Sequence, residues 1–140
     1  MSDELEIRLV NTLSELHKIS EALAEFRRRH TLSPKVEHDL NLALEEIITN
    51  VISYGYADTR EHEIRVRLKT RAGEVSAEVE DDGRPFDPLE QPEPDVTKLI
   101  DERTVGGLGI HLVRKLMDSL EYKRQGYKNL LIMKKKTEEA

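Results

Sequence analysis

Residues 34–54 read PKVEHDLNLALEEIITNVISY, and their spacing decides the architecture. Val36, Leu40, Leu44, Ile47 and Val51 recur three and four apart, the apolar stripe of an amphipathic helix. Ser33-Pro34 supplies an N-cap followed by proline at the first helical position. Gly55 marks the stop, where glycine can take a left-handed cap conformation. Upstream, Leu13, Leu16, Ile19, Leu23 and Phe26 predict another helix, from Thr12 or Ser14 to about His30. Before it, Leu5, Ile7 and Leu9 alternate with polar residues as a strand does. Downstream, Ile64, Val66 and Leu68, then Val75, Ala77 and Val79, flank the turn Thr70-Arg71-Ala72-Gly73 and predict an antiparallel hairpin.

Residues 84–106 break the rhythm, with Pro85, Pro88, Pro92 and Pro94 among acidic neighbours. A segment this long without periodicity is usually either functional or mobile; a short helical piece over Val96 to Glu102 fits inside it. A third helix follows from about Gly107, carrying Ile110, Val113, Leu116 and Met117, and two strands near 119–124 and 128–134 close the chain. Strand, two helices, hairpin, loop, helix and hairpin predict a two-layer α/β sandwich: a mixed, mostly antiparallel sheet covered on one face by helices. The 140 residues fit one domain, 1–140.

Charged residues make up 36% of the chain and the net charge is −6, so nucleic acid and anionic membrane surfaces are poor partners. Arg27-Arg28-Arg29-His30 is a local exception, read as the solvated end of a helix whose dipole favours cations. The absence of cysteine excludes disulfides, thiolate metal sites and cysteine nucleophiles, and suits a reducing interior. Neither a signal sequence nor an apolar stretch long enough to span a bilayer is visible, so the expected address is cytoplasmic. His17, His30, His38, His62 and His111 are scattered and read as structural or solvent-facing.

Three short stretches can carry chemistry. Glu46 and Asn50 stand four apart on the central helix, about 40° apart around its axis. Glu45, roughly 140° from Asn50, faces elsewhere. A carboxylate can accept a proton, and an amide oxygen can hold a hard cation. Glu80-Asp81-Asp82-Gly83 follows a strand, where Asp81 could accept a hydrogen bond from a ligand amine and Gly83 could let the backbone close against a flat ring. Gly106-Gly107-Leu108-Gly109 opens a helix, where backbone N–H groups and the dipole favour an anion. Each has an ordinary reading alone: a solvated helix face, a turn, and a flexible helix start.

Together and in this order, they resemble the bacterial anti-sigma-factor serine/threonine kinases, the compact branch of the GHKL ATP-binding superfamily. Glu46-Ile47-Ile48-Thr49-Asn50 resembles the N box, Asp81 to Pro88 the first glycine box, and Gly106-Gly107-Leu108-Gly109-Ile110 the second. The resemblance implies a Bergerat-type fold, ATP and Mg²⁺ as ligands, and an ATP lid at about 84–106. It implies Asp81 on the adenine amine, Gly83 beside the base, and Asn50 in the Mg²⁺ shell. Gly106, Gly107, Leu108 and Gly109 would lie around the phosphates, with Arg103 and Thr104 near the γ-phosphate. Glu46 would be the general base for an incoming hydroxyl. The implied partners are an anti-anti-sigma domain and a sigma factor, with the kinase itself a homodimer. A nucleotide-gated binding module without catalysis is the alternative, and a simple ATPase ranks behind both.

Overall fold

The computed structural model describes residues 4–85, 87 and 107–137, with the backbone alone at 107–109. Strand β1 (Glu4–Val10) leads through a 3-10 turn (Leu13–Leu16) into helices α1 (His17–His30) and α2 (Pro34–Tyr54). Strands β2 (Glu63–Arg71) and β3 (Glu74–Asp81) follow, then helix α3 (Gly107–Leu116) and strands β4 (Ser119–Gln125) and β5 (Lys128–Lys136). The sheet order is β1-β2-β3-β5-β4. All four pairings are antiparallel, so the mixed component expected from the sequence has no counterpart among the described strands.

Alternation along the strands builds the two layers. Leu9, Ile64, Val66, Leu68, Val75, Ala77, Val79, Leu131 and Met133 are buried on the inner face, in one cluster with Ile19, Leu23 and Phe26 of α1 and Leu40, Leu44 and Ile48 of α2. A fully buried side chain of this size contributes about 1.5–3 kcal/mol relative to exposure, so the helical layer is held by its apolar stripes. The outer face carries charge instead. Arg67 bridges Glu78 (3.4 Å) and Glu80 (3.2 Å), and Lys128 reaches Glu80 at 2.8 Å. These half-exposed pairs add little stability individually but keep the uncovered face solvated.

Helix α2 begins as expected: Ser33 caps it, its hydroxyl accepting from the Val36 N–H at 3.1 Å. Its end differs from expectation. Gly55 is right-handed (φ −81°) and donates its N–H to Val51 O at 2.8 Å. The left-handed helix end belongs to α1, where Thr31 takes φ 56°. Gly55 is needed small for another reason: a Cβ there would lie 2.6 Å from Val51 O. On the buried side, Asp39 of α2 (4% exposed) pairs with Lys35 at 2.7 Å and with Lys135 of β5 at 3.2 Å. Burial pushes its carboxyl up, but the two lysine hydrogen bonds outweigh that and hold it low. Lys135 also donates to Leu116 O at 2.8 Å, so one ammonium ties α2, β5 and the end of α3 together.

Candidate functional site

Between the C-terminal half of α2, the end of β3 and the start of α3 lies an open pocket that, with the solvent at its mouth, takes in about 490 Å³. Its floor is apolar, from Ile47, Val51, Val79, Ile110 and Leu131. Its polar groups are few and placed: Asn50, Asp81, Arg84, Tyr122 and Asn129. An apolar slot with a few convergent polar groups suits a flat, partly polar ligand.

Asn50 and Asp81, far apart in sequence, both line this pocket. Asn50 is 5% exposed, and among the described residues neither its Oδ1 nor its Nδ2 has a hydrogen-bond partner. Leaving a buried polar group unsatisfied costs about 1–3 kcal/mol, a cost that a ligand bound in the pocket would offset. Glu46 sits one turn earlier on α2, half-buried, and is not among the residues lining the pocket.

Asp81 ends β3 and is 6% exposed. Its Oδ1 accepts from the Gly83 N–H at 2.8 Å and from Asn129 Nδ2 at 3.0 Å. Burial pushes its carboxyl up, a shift those two hydrogen bonds oppose, while Asp82 adds to it and Arg124 works against it. Gly83 packs more tightly than a ring-facing glycine requires. A Cβ there would meet Gly55 O at 2.5 Å and Asp81 Oδ1 at 3.0 Å. The backbone beyond β3 is stitched to the end of α2 at this point. Arg84 N–H donates to Gly55 O at 2.7 Å, and its guanidinium donates to Tyr54 O.

Gly107 and Gly109 form the first turn of α3, and Ile110 just after them lines the pocket. Gly106, Arg103, Thr104 and the helical piece expected over Val96–Glu102 lie outside the described residues, as does nearly all of the 84–106 segment. The side chain of Leu108 is likewise not described.

Sequence reasoning overlooked Asn129, Tyr122 and Arg124. Asn129 pairs directly across the sheet with Asp81 and is 6% exposed. Its Nδ2 also donates to Arg84 O at 2.8 Å, while its Oδ1 accepts from Tyr122 O–H and from Arg124 Nη1 at 3.2 Å. Arg124 Nη1 reaches Gly83 O as well, at 2.8 Å. A signal was present: Asn129 shares the inward phase of β5 with Leu131 and Met133, and a polar residue on a buried phase needs a partner. His62, expected to be structural or solvent-facing, has a structural place. Its ring stacks on Tyr56 (centroids 4.2 Å, 14° between planes) and bridges Asp58 Oδ1 at 2.8 Å and Asp82 Oδ1 at 3.0 Å.

With the geometry in place, comparison with known proteins becomes informative. The family described as the histidine kinase-like ATPase domain matches residues 9–135. The chain belongs to that family. Relatives of similar sequence carry the names serine/threonine-protein kinase, serine-protein kinase and anti-sigma F factor. The serine/threonine-protein kinase BtrW of Bordetella bronchiseptica is 28% identical over 105 residues, covering 74% of each chain. An anti-sigma F factor of Clostridium perfringens is 31% identical over 108 residues, covering 75% of this chain and 77% of that one. Among solved structures, the RsbU and RsbW domains of a Mycobacterium tuberculosis protein superpose with a TM-score of 0.65 at 16% identity, over 95% of this chain and 31% of that one. At that identity the structural likeness speaks for the fold alone. Among the described residues, no helix of this histidine kinase-like ATPase domain is long and apolar enough to cross a membrane.

Proposed function

We propose that this protein is an ATP- and Mg²⁺-dependent serine/threonine kinase and anti-sigma factor, phosphorylating an anti-anti-sigma domain and alternatively holding a sigma factor. The observation that carries the reading is one pocket in which, among the described residues, a buried Asn50 amide has no partner and Asp81 Oδ2 is left without one. The relatives' names, a serine/threonine-protein kinase and an anti-sigma F factor, point the same way. A homodimer goes with it by resemblance, beside the cytoplasmic address expected from the sequence.

In this reading the adenine ring lies on the Ile47–Val79–Leu131 floor, and Asp81 Oδ2 accepts its exocyclic amine. The phosphates lie toward the glycine-bearing start of α3, where helical N–H groups favour anions. Gly106, Arg103 and Thr104 belong to that end by resemblance. Asn50 Oδ1 fits a hard cation, since the amide has no competing partner. Mg²⁺, when bound, supplies charge neutralisation at the phosphates. Glu46 accepts the proton of the incoming serine or threonine hydroxyl. The hydroxyl oxygen bonds to the γ-phosphorus as the bond to the β-phosphate bridging oxygen breaks, and ADP leaves. Positioning does most of the work in such a transfer.

One observation favours the second reading, a nucleotide-gated module without catalysis: Glu46 stands outside the pocket lining. γ-Labelled ATP, Mg²⁺ and an extract of the source organism separate the two. The kinase reading expects one small protein labelled on serine or threonine, and loss of label with Glu46→Ala. Undiminished labelling by Glu46→Ala would remove the proposed base; ATP binding with no labelled protein would favour the module.

A further inference from the structure

The polar network around Asn129 has a property that the rest of the pocket lacks: every hydrogen-bonding position of the amide is taken. A side-chain amide offers two donors and an acceptor oxygen with two lone pairs. Asn129 donates to Asp81 Oδ1 and Arg84 O, and accepts from Tyr122 O–H and Arg124 Nη1. Only one orientation of the amide satisfies these partners. A carboxylate accepts only and a guanidinium donates only, so Nδ2 must face Asp81 and Oδ1 must face Arg124. The side chain is therefore locked from two sides, by β4 through Tyr122 and Arg124 and by the backbone beyond β3 through Arg84.

The consequence falls on Asp81. Asn129 Nδ2 and the Gly83 N–H both land on Oδ1. That leaves Oδ2 without a partner among the described residues, in a side chain that lines the pocket. A base presenting an amine at this point finds an acceptor; a base presenting a carbonyl there meets oxygen against oxygen. We propose that Asn129, held by Tyr122 and Arg124, is the positioning residue that fixes the Asp81 carboxylate and so sets selectivity for a 6-amino purine over a 6-oxo purine. It acts through Asp81 and need not touch the base. The proposal rests on the nucleotide reading above.

The discriminating quantity is a ratio, not an affinity. A site built to pair a ligand N–H rejects the analogue lacking it far more strongly than apolar contacts do. ATP and inosine triphosphate differ only along this edge of the base, amine against carbonyl at C6 and a bare against a protonated N1, so calorimetric binding of each, with Mg²⁺ present, reads the edge that Asp81 faces. The wild type is expected to prefer ATP by roughly 100-fold or more. Asn129→Ala frees the carboxylate to rotate, and the preference falls to within about 10-fold, mostly through weaker ATP binding. Asn129→Asp keeps the shape and the Oδ1 contacts but sets a carboxylate oxygen where Nδ2 donated, and it lowers the ratio as well should the alanine variant fold poorly. Tyr122→Phe removes one lock and gives an intermediate ratio. Were Asn129 only a packing residue, both nucleotides would weaken together, and an unchanged ratio in the folded Asn129 variants overturns the assignment. Failure of the wild type to bind ATP at all overturns the nucleotide reading itself, and this assignment with it.

Discussion

The two polar ends of the pocket are built on opposite plans. At the β3 end, Asp81, Gly83, Arg84, Asn129, Tyr122 and Arg124 are joined by hydrogen bonds that fill every position on Asn129 and leave Asp81 Oδ2 without a partner among the described residues. At the α2 end, Asn50 is equally buried and has no hydrogen-bond partner among those residues. Networks that are complete rigidify a site, whereas an isolated buried amide only costs stability until a ligand meets it. In the nucleotide reading, one end is thus shaped before the ligand arrives and the other is left open for it. A preformed base pocket would then hold the nucleotide in place, so the lost freedom of the reacting phosphates would already be offset when chemistry begins.

The same substitution made at each end should have opposite signs. Asn129→Leu removes four hydrogen bonds and strands Arg84 O and the Tyr122 hydroxyl, so the nucleotide-free protein should lose about 3 kcal/mol or more of unfolding free energy. Asn50→Leu removes an amide that already lacks partners, and stability should hold or rise by about 1 kcal/mol. The second variant should nonetheless lose phosphotransfer by orders of magnitude. Urea unfolding without nucleotide, beside a labelling assay, measures both. Equal losses of stability would erase the contrast between the ends.

Gly83 and Gly126 sharpen the contrast from the backbone side. At Gly83 a Cβ would lie 2.5 Å from Gly55 O, within the stitch between the end of α2 and the residues after β3. Neither backbone can withdraw without breaking the Arg84 N–H to Gly55 O hydrogen bond. Gly83→Ala should therefore cost about 1–3 kcal/mol, as overpacking does, and should weaken nucleotide binding by displacing the residue that donates to Asp81. Gly126, in the β4–β5 turn, has open space around it but φ +63°. Gly126→Ala should cost only about 1 kcal/mol, the strain of a left-handed residue, with nucleotide affinity unchanged. Thermal unfolding with and without ATP separates these outcomes.

How much of this was visible in the chain depends on whether the signal was local. The α2 stripe and its Ser33 cap, the alternation in β2 and β3 and the two glycine-bearing stretches are local patterns, and the helices and strands they predicted are present. Which strands neighbour which is not local, and the all-antiparallel order with β5 beside β3 came only from the fold. The site divides the same way. Asn50 and Asp81 were marked by their neighbours in sequence, and the fold brings them into one pocket. Asn129 lies 48 residues from Asp81 and was invisible as a partner, though its inward register carried a hint. The reason for Gly83 was also beyond local reading, because the atom that demands a glycine belongs to residue 55. Chain-end signals misled once: a glycine after a helix suggested a left-handed cap, yet Thr31 holds that conformation and Gly55 does not.

The smallest predicted effect concerns a second tie between the same two walls, one made by charge and so sensitive to pH. His62, just before β2, sits between Asp58 of the segment after α2 and Asp82 beyond β3, with Tyr56 stacked on its ring and its backbone N–H held by Asn11 at 2.9 Å. The hydrogen bond to Asp58 raises the imidazole pKa most; burial opposes it and Asp82 adds to it. The same contact, with the Arg60 backbone N–H, holds the Asp58 carboxyl down to about 2. Burial, with Asp81, Asp82 and Asp58 nearby, pushes the Tyr56 hydroxyl up, so it stays protonated across the working range. For a histidine whose folded pKa is raised, the stabilisation is complete below the unfolded value, about 6.5, and is lost as pH rises through the folded value. For Asp58 it is present above the unfolded value, about 3.9, and is lost as pH falls toward the folded one. The tie is thus strongest between about pH 4 and 6.5, where both partners are charged, and it weakens above that window. The melting temperature of the wild type minus that of His62→Gln should be largest near pH 5.5 and shrink steadily toward pH 8.5. Because Asp82 follows Asp81, the carboxylate proposed to meet the base, ATP affinity should fall over the same upper range in the wild type more than in the variant. A difference in melting temperature that stays constant from pH 5.5 to 8.5 would mean that the ring acts by stacking on Tyr56 alone and that no charge ties the walls.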